Sequence, residues 1–521
     1  MTESVGKSYP PTPFVLIFFL ATAAAFRAGL LTAPGEFDEF YHLLAGKGIL
    51  DFGVPRILDG EYWRGAIFTR LIAELFRLTG SDALPMARAV SMVAGTLVPA
   101  LVFLWAERNA GFAVAFLAAA FAVVWPQGII ESQLARFYSL HTLSFLSGAA
   151  AFYLLLMDGR PKLILALVTV LSWYLAVRLQ ISSLIGIGGA CLGGALVLWS
   201  RSRWSFWQGI AFMSVIAASA LLALVLLGGT DAPAKAWGFY RWTPGHAAPL
   251  RDYYGFYFQQ FETDYGVLWL AGLILVPLGL SVNAPLAIFC AAVFGVSFVV
   301  HSFGGMKAMR YISYATPFLF VAWSLGLRGT YILLVDRLSP KVSVGIVSIA
   351  GLAIISATAF VPRSLELAAG RGIPSRGDWS HGLDVVGDWL SLPFVATTRE
   401  LHHIAYLGNY DILFSASRRS ELDPPHNYSV DVRTGRPVVG DVEEMARVML
   451  CVPEGLLVTT PNWWTTQGWG DRILRELAGE APALTTREDG ALLAIRWRHK
   501  SVPPQNCELT RNRIVGRLAP T

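Results

Sequence analysis

Of the chain's 521 residues, 54% are hydrophobic and only 15% charged, where an ordinary soluble domain carries about 25% charged residues, so a cytosolic globular protein is excluded. The formal charge of +5 and the pI near 9.0 come without a Lys/Arg cluster of the kind a phosphate-tracking groove needs, which excludes nucleic acid as a partner. Apolar runs extend from Phe14 to Phe360 and the charged residues gather after Pro362. The expected division is therefore a transmembrane domain over 1–361 and a soluble domain over 362–521.

A bilayer core of ~30 Å takes about 20 residues of helix, because lipid offers no partner to an unpaired backbone group. Spans are predicted at Phe14 to Leu31, Ala89 to Trp105, Phe112 to Trp125, Leu140 to Met157, Leu163 to Val177 and Ile181 to Trp199. Five more follow at Ile210 to Leu227, Val267 to Val282, Leu286 to Val300, Tyr311 to Leu327 and Val342 to Phe360. The total is roughly eleven, which puts the termini on opposite sides. The first run is read as a retained helix and not a secretory signal, since Lys7 is the only basic residue before it. With the N-terminus inside, Arg108, Arg160, Lys162, Arg201, Arg203, Arg328, Arg337 and Lys341 fall on inner connections, as the positive-inside rule asks. Arg56, Arg64, Arg70, Arg136, Arg178, Lys307 and Arg310 fall on outer ones, an excess that needs its own cause.

Polar residues then fall at the outer ends of odd-numbered spans. Asp38 and Glu39 follow the first, Glu131 and Arg136 the third, Arg178 and Gln180 the fifth, Lys307 and Arg310 the ninth. Scattered loop charges would occupy both faces, so this convergence points to one charged cavity at the outer boundary. The competing reading makes Asp38 and Glu39 first-turn acids of a juxtamembrane helix over Tyr41 to Ile49, and makes the cations interfacial anchors. The aromatic connection from Trp237 to Tyr265 reads either as a headgroup-level belt or as a flap over the cavity.

After Pro362 short mixed elements predict a small α/β domain. Ile404 to Phe414 alternates like a strand, Asp441 to Leu450 has helical spacing, and Leu456 to Thr460 is a short apolar strand. Trp469 to Leu477 reads as a helix, and Leu484 to Trp497 as a hairpin turning at Asp489-Gly490. Trp463, Trp464 and Trp469 serve either packing against the membrane domain or stacking on acceptor sugars. Cys191 and Cys290 lie inside apolar runs; Cys451 and Cys507 either pair, given an oxidising compartment, or remain two thiols.

Four segments taken in order carry a family resemblance: Pro34-Gly35-Glu36-Phe37-Asp38-Glu39-Phe40-Tyr41-His42, then Arg88 and Ser91 after Gly80-Ser81-Asp82, then Gln133-Leu134-Ala135-Arg136-Phe137-Tyr138, then Lys307-Ala308-Met309-Arg310-Tyr311 with Pro317. With the spans, they resemble the GT-C membrane glycosyltransferases, most closely the protein O-mannosyltransferase and lipid A aminoarabinose-transferase group, over roughly the first 320 residues. The resemblance implies a polytopic α-helical GT-C fold with juxtamembrane helices. It also implies an inverting enzyme that moves a sugar from a polyprenyl-phosphate donor, such as undecaprenyl phosphate, to a glycan, glycolipid or protein acceptor at the outer face. Asp38 matches the family's catalytic Asp, and Glu39 completes its Asp-Glu pair. Arg136, Arg178, Lys307 and Arg310 would hold the donor phosphate, since fixed cations stabilise charge developing on a leaving group. Tyr41, His42, Glu131, Tyr138 and Gln180 are the other expected substrate contacts.

A monophosphate leaving group needs no divalent ion, and His42, His141, His301, His402 and His403 lack ligand spacing. No metal and no other cofactor is expected. The setting expected is a bacterial inner membrane and its cell envelope, with lipid A and its core among the acceptors. The alternative, a transporter or lipid flippase, usually shows duplicated halves and charge near the midplane; this chain has no evident repeat.

Overall fold

The computed structural model describes residues 12–157, 162–201, 232–243, 247–356, 358–372, 377–415, 428–477 and 482–499, with Cys507 and scattered positions between 205 and 214. It folds as two units. The first takes residues 1–31, 88–243 and 247–373, and the second takes 32–87, 244–246 and 374–521. The sequence division at 361/362 assigns residues 32–87 to the membrane part; in the structure they pack with the C-terminal residues.

The first unit is helical. Among the described residues five helices are long and apolar enough to cross a membrane: Leu84–Ala110, Tyr138–Met157, Ser183–Arg201, Leu280–Phe303 and Ser313–Val335. Two bent pairs raise the number to seven, Phe112–Val123 with Pro126–Gln133 at 54° and Phe256–Tyr265 with Val267–Leu278 at 102°. Thr12–Arg27, Leu163–Leu179 and Pro340–Gly351 are shorter apolar helices. The expected span at Ile210 to Leu227 lies outside the described residues.

Both bends have local causes. Pro126 has no N–H to donate and crowds the carbonyl four residues back, so the helix breaks there. The carbonyls this frees need partners in a water-poor interior. Arg27 donates to the Ala122 carbonyl at 3.1 Å and to that of Val123 at 3.4 Å, and the Ser364 hydroxyl donates to Val124. At the second bend Gly266 has φ +48° and its N–H caps Glu262 at 2.7 Å, a backbone state glycine enters without steric cost. The span expected at Tyr311 begins later, because two 3₁₀ turns precede the helix Thr316–Val335 and Pro317 sits in its first turn.

The second unit is built on a mixed seven-stranded sheet. Its strands are β3 (Val395–Thr397), β4 (Ile412–Phe414), β5 (Tyr428–Val430), β6 (Pro437–Val439), β7 (Glu454–Thr459), β8 (Ala483–Asp489) and β9 (Leu492–Arg498). A short hairpin, β1 (Arg56–Ile57) with β2 (Gly60–Glu61), precedes them. The sheet order is β5-β6-β4-β3-β7-β9-β8, with a parallel centre and antiparallel edges. The expected hairpin turns at Gly490, φ +54°, and the helix expected after Gly440 is Val442–Cys451, capped by the Asp441 carboxylate on the Glu443 N–H at 2.8 Å. Ile404 to Phe414 is not one strand. Helix Glu400–Tyr406 fills its first part, Gly408 turns the chain with φ +101°, and only Ile412–Phe414 joins the sheet. The first turn of that helix, Glu400 to His403, is buried on all sides.

Cys451 and Cys507 form a disulfide that ties the chain's tail to helix Val442–Cys451. The β1–β2 hairpin lies backbone to backbone on the turn 431–436. The Asp59 N–H donates to Thr434 at 3.1 Å and the Glu61 N–H to Val432 at 3.3 Å. Gly60 is what permits this, since a Cβ there would stand 2.5 Å from the Gly435 nitrogen.

One buried histidine gives this unit a pH dependence. His403 is fully buried against Tyr410, and burial pushes its pKa from 6.5 down to about 4. The unfolded chain therefore binds the proton more readily, so the stabilisation is complete above pH 6.5 and is lost as the pH falls toward 4. The loss amounts to about 3 kcal/mol. Thermal unfolding of the full chain in detergent is expected to weaken over this range, and His403→Leu to flatten the dependence; equal slopes for the two proteins would contradict it.

Candidate active site

The acidic segment lies in the second unit and opens helix Phe37–Phe52. Glu36 is the N-cap, with φ −84° and ψ 146°. Its carboxylate accepts the Asp38 N–H at 2.8 Å, while the Glu39 carboxylate reaches back to accept the Glu36 N–H at 2.7 Å. This reciprocal capping box spends Glu39, which is completely buried, on the helix start. Asp38 stands between the two, half-buried, and gives the cap its backbone N–H.

The helix is held by near neighbours in sequence, Tyr62, Phe68 and Thr69, and by Glu400, His402 and Arg433, more than 300 positions away. The Tyr41 hydroxyl donates to Glu400 at 3.4 Å, its ring stacks on Tyr62 at 4.6 Å, and the Arg433 guanidinium covers it at 5.1 Å. His402 is wedged between Phe37 at 5.8 Å and Phe40 at 5.1 Å. His42 bonds the Thr69 hydroxyl through Nδ1 at 2.9 Å and packs against Tyr62 and Phe68. Tyr41 and His42, expected to touch substrate, are thus interior residues that fasten the helix carrying Asp38.

The cations belong to the first unit, and the structure separates them into groups. Arg136 and Arg310 converge on Tyr138, their guanidinium carbons 5.1 and 5.9 Å from its ring centre. Glu131, itself buried, lies within the field of both arginines and takes a hydrogen bond from Gln127 at 2.9 Å. The Ser91 hydroxyl donates to the Arg136 carbonyl at 2.8 Å, fixing the turn between Gln133 and Tyr138. Arg88 donates to the carbonyls of Leu30 and Leu31. These residues, remote in sequence, make one cation-rich corner.

Lys307 and Arg178 stand apart from it. The three protons of Lys307 Nζ go to the carbonyls of Leu250 at 2.7 Å, Arg251 at 2.9 Å and Gly304 at 2.7 Å. Burial, then the charge of Arg241, holds this ammonium below the usual lysine range. Lys307 is therefore a clasp on the aromatic connection, which Arg241 also ties down through the Arg251 and Phe303 carbonyls. Arg178 ends helix Leu163–Leu179, exposed, with no hydrogen bond or ion pair among the described residues. Gln180 contributes its carbonyl, which accepts from the Ser183 hydroxyl at 2.7 Å. Trp463 and Trp469 stack face to face at 5.6 Å against Phe414, with Arg472 over Trp469 at 5.1 Å, a packing role.

A polar network buried inside the first unit was not singled out from the sequence. His141 Nε2 bonds the Ser183 hydroxyl at 2.6 Å, His301 Nε2 bonds the Tyr314 hydroxyl at 3.2 Å, and Tyr314 also reaches Ser297 at 3.2 Å. His141 and Thr142, one turn beyond the Tyr138 already singled out and in a largely apolar run, were its legible signal. Among the described residues no three His, Cys, Asp or Glu side chains gather as metal ligands do.

The fold is that of the GT-C membrane glycosyltransferases. Among solved structures it is similar to ArnT from Cupriavidus metallidurans in the apo state, with a TM-score of 0.58 at 13% identity over 93% of this chain and 97% of that one. ArnT from the same organism bound to undecaprenyl phosphate gives 0.55 at 14% identity, covering 95% and 100% of the two chains. The oligosaccharyltransferase AglB from Archaeoglobus fulgidus, in complex with an inhibitory peptide and a dolichol-phosphate, gives 0.57 at 13% identity, covering 95% and 75%. No protein-family model and no curated protein matches the chain.

Proposed function

We propose that this protein is a polyprenyl-phosphate-dependent glycosyltransferase that moves a hexose or pentose to a glycan, glycolipid or protein acceptor by single displacement with inversion. The observation that carries the proposal is the convergence of Arg136 and Arg310 on Tyr138 beside Glu131, in a fold shared with proteins solved with undecaprenyl phosphate and dolichol-phosphate. Asp38 takes the proton of the acceptor hydroxyl or amine as it attacks the anomeric carbon. The bond from that carbon to the phosphate oxygen breaks, and its electron pair goes to the phosphate. Arg136 and Arg310 stabilise the resulting charge in a medium of low dielectric constant. No enzyme-bound sugar is required, and two guanidinium groups neutralise a monophosphate without a metal ion.

A polyprenyl tail dissolves only in lipid, so the donor meets the protein within the bilayer. The Cys451–Cys507 disulfide supports an oxidising, extracytoplasmic side for the second unit, and a bacterial inner membrane serving envelope or lipopolysaccharide assembly suits that side. The test is mass spectrometry of lipids that co-purify with the protein in nanodiscs. Undecaprenyl or another polyprenyl phosphate is expected, retained in chelator and lost in the Arg136→Gln, Arg310→Gln double variant. Absence of any polyprenyl species, even when supplied, would refute the proposal.

A further inference from the structure

One face of helix Tyr138–Met157 carries three buried polar groups that no described residue satisfies. Tyr138, His141 and Thr142 follow at i, i+3 and i+4, which stacks them on a single side of the helix. Each is at most 1% exposed. The Tyr138 hydroxyl, His141 Nδ1 and Thr142 Oγ1 have no hydrogen-bond partner among the described residues. Burying such atoms unpaired is costly, so they call for partners.

Thr142 had a simple way out. Ser144, Ser147, Thr169 and Ser324, on this and other apolar helices of the unit, each satisfy themselves by donating to the carbonyl four residues back. Thr142 does not. His141 is equally specific: its Nε2 is held by Ser183 at 2.6 Å and its ring lies edge-on to Tyr314 at 5.2 Å, so Nδ1 is presented in a fixed direction. Tyr314 is in turn fixed by His301, Ser297 and the Ser182 carbonyl. His141 is thus held in place by a network that leaves its Nδ1 unpaired, and Tyr138 is flanked by the two arginines.

We propose that this face is the subsite for the sugar of the lipid donor, an inference that rests on the glycosyltransferase reading above. Arg136 and Arg310 sit on the Tyr138 ring, where a phosphate would be held. Thr142 lies about 6 Å further along the helix axis, at 1.5 Å per residue, and a sugar ring spans a comparable distance from its anomeric phosphate to its far hydroxyls. Two hydroxyls that donate or accept, and a ring nitrogen that accepts because the Ser183 hydroxyl is spent on the Gln180 carbonyl and Nε2 carries the ring proton, complement neighbouring sugar hydroxyls. An aliphatic chain would leave all three unpaired.

The experiment compares binding of bare undecaprenyl phosphate with binding of undecaprenyl-phosphate-linked sugars, a hexose and a pentose, to the full chain in nanodiscs. Wild type is expected to prefer a sugar-bearing lipid. Tyr138→Phe and Thr142→Val are each expected to cut that preference about 10-fold, with affinity for the bare lipid retained, and Thr142→Ser to restore it. A wild-type preference kept in both variants, or no preference in wild type, overturns the subsite while leaving the glycosyltransferase reading intact. Failure of wild type to bind either lipid overturns both.

Discussion

Asp38→Asn is expected to lower sugar transfer about 10³-fold, within the range that removal of a general base produces, while thermal unfolding and binding of undecaprenyl phosphate stay at wild-type levels. The cap explains why the fold should tolerate the change. Glu36 accepts the backbone N–H of residue 38, a bond that an amide side chain there keeps, so the helix start stays intact. Glu39→Ala is expected to do the reverse. The Glu39 carboxylate accepts the Glu36 N–H from a fully buried position, so removing the acceptor weakens the cap by about 1 kcal/mol and costs turnover less. Measured side by side, an active Asp38→Asn with an inactive, folded Glu39→Ala would exchange the two roles.

Arg136→Gln and Arg310→Gln are each expected to lower kcat/KM 10²- to 10³-fold, about 3 to 4 kcal/mol of transition-state stabilisation. Lysine should not rescue either position, because a point charge lacks the planar fork that grips two phosphate oxygens. Lys307→Met makes the internal comparison. With its three protons on the carbonyls of Leu250, Arg251 and Gly304, its loss should loosen the aromatic connection and lower stability by about 1 to 3 kcal/mol. A Lys307→Met that lost phosphate-dependent rate as steeply as the arginine variants, at unchanged stability, would return Lys307 to the phosphate site.

Much of the fold was legible because its signals are local. Apolar runs gave the helices, Asp441 marked a helix start, and Asp489-Gly490 marked a hairpin. What escaped depends on partners distant in sequence. Nothing near Tyr41 announces Glu400, and nothing near Gly60 announces Gly435. Both pairs arise because the first loop packs with the C-terminal sheet. The bend at Pro126 was readable in the residue, but the Arg27 and Ser364 side chains that satisfy its carbonyls were not.

The candidate site was legible by residue type more than by role. Its charged residues were visible at helix ends, yet one-dimensional spacing could not tell a clasp such as Lys307 from the arginines that meet on Tyr138. Nor could it tell a cap such as Glu39 from a half-buried neighbour such as Asp38. Those distinctions are made by hydrogen-bond partners.

The most direct test of the central claim is release of free undecaprenyl phosphate by the purified protein, incubated with undecaprenyl-phosphate sugars and with lipid A, glycan and peptide acceptors in the presence of chelator. The account predicts release with one of the donors that requires an acceptor and disappears with Asp38→Asn. If no donor is consumed across the panel, while a transported solute protects the protein against thermal unfolding, the account is contradicted and the chain is a transporter.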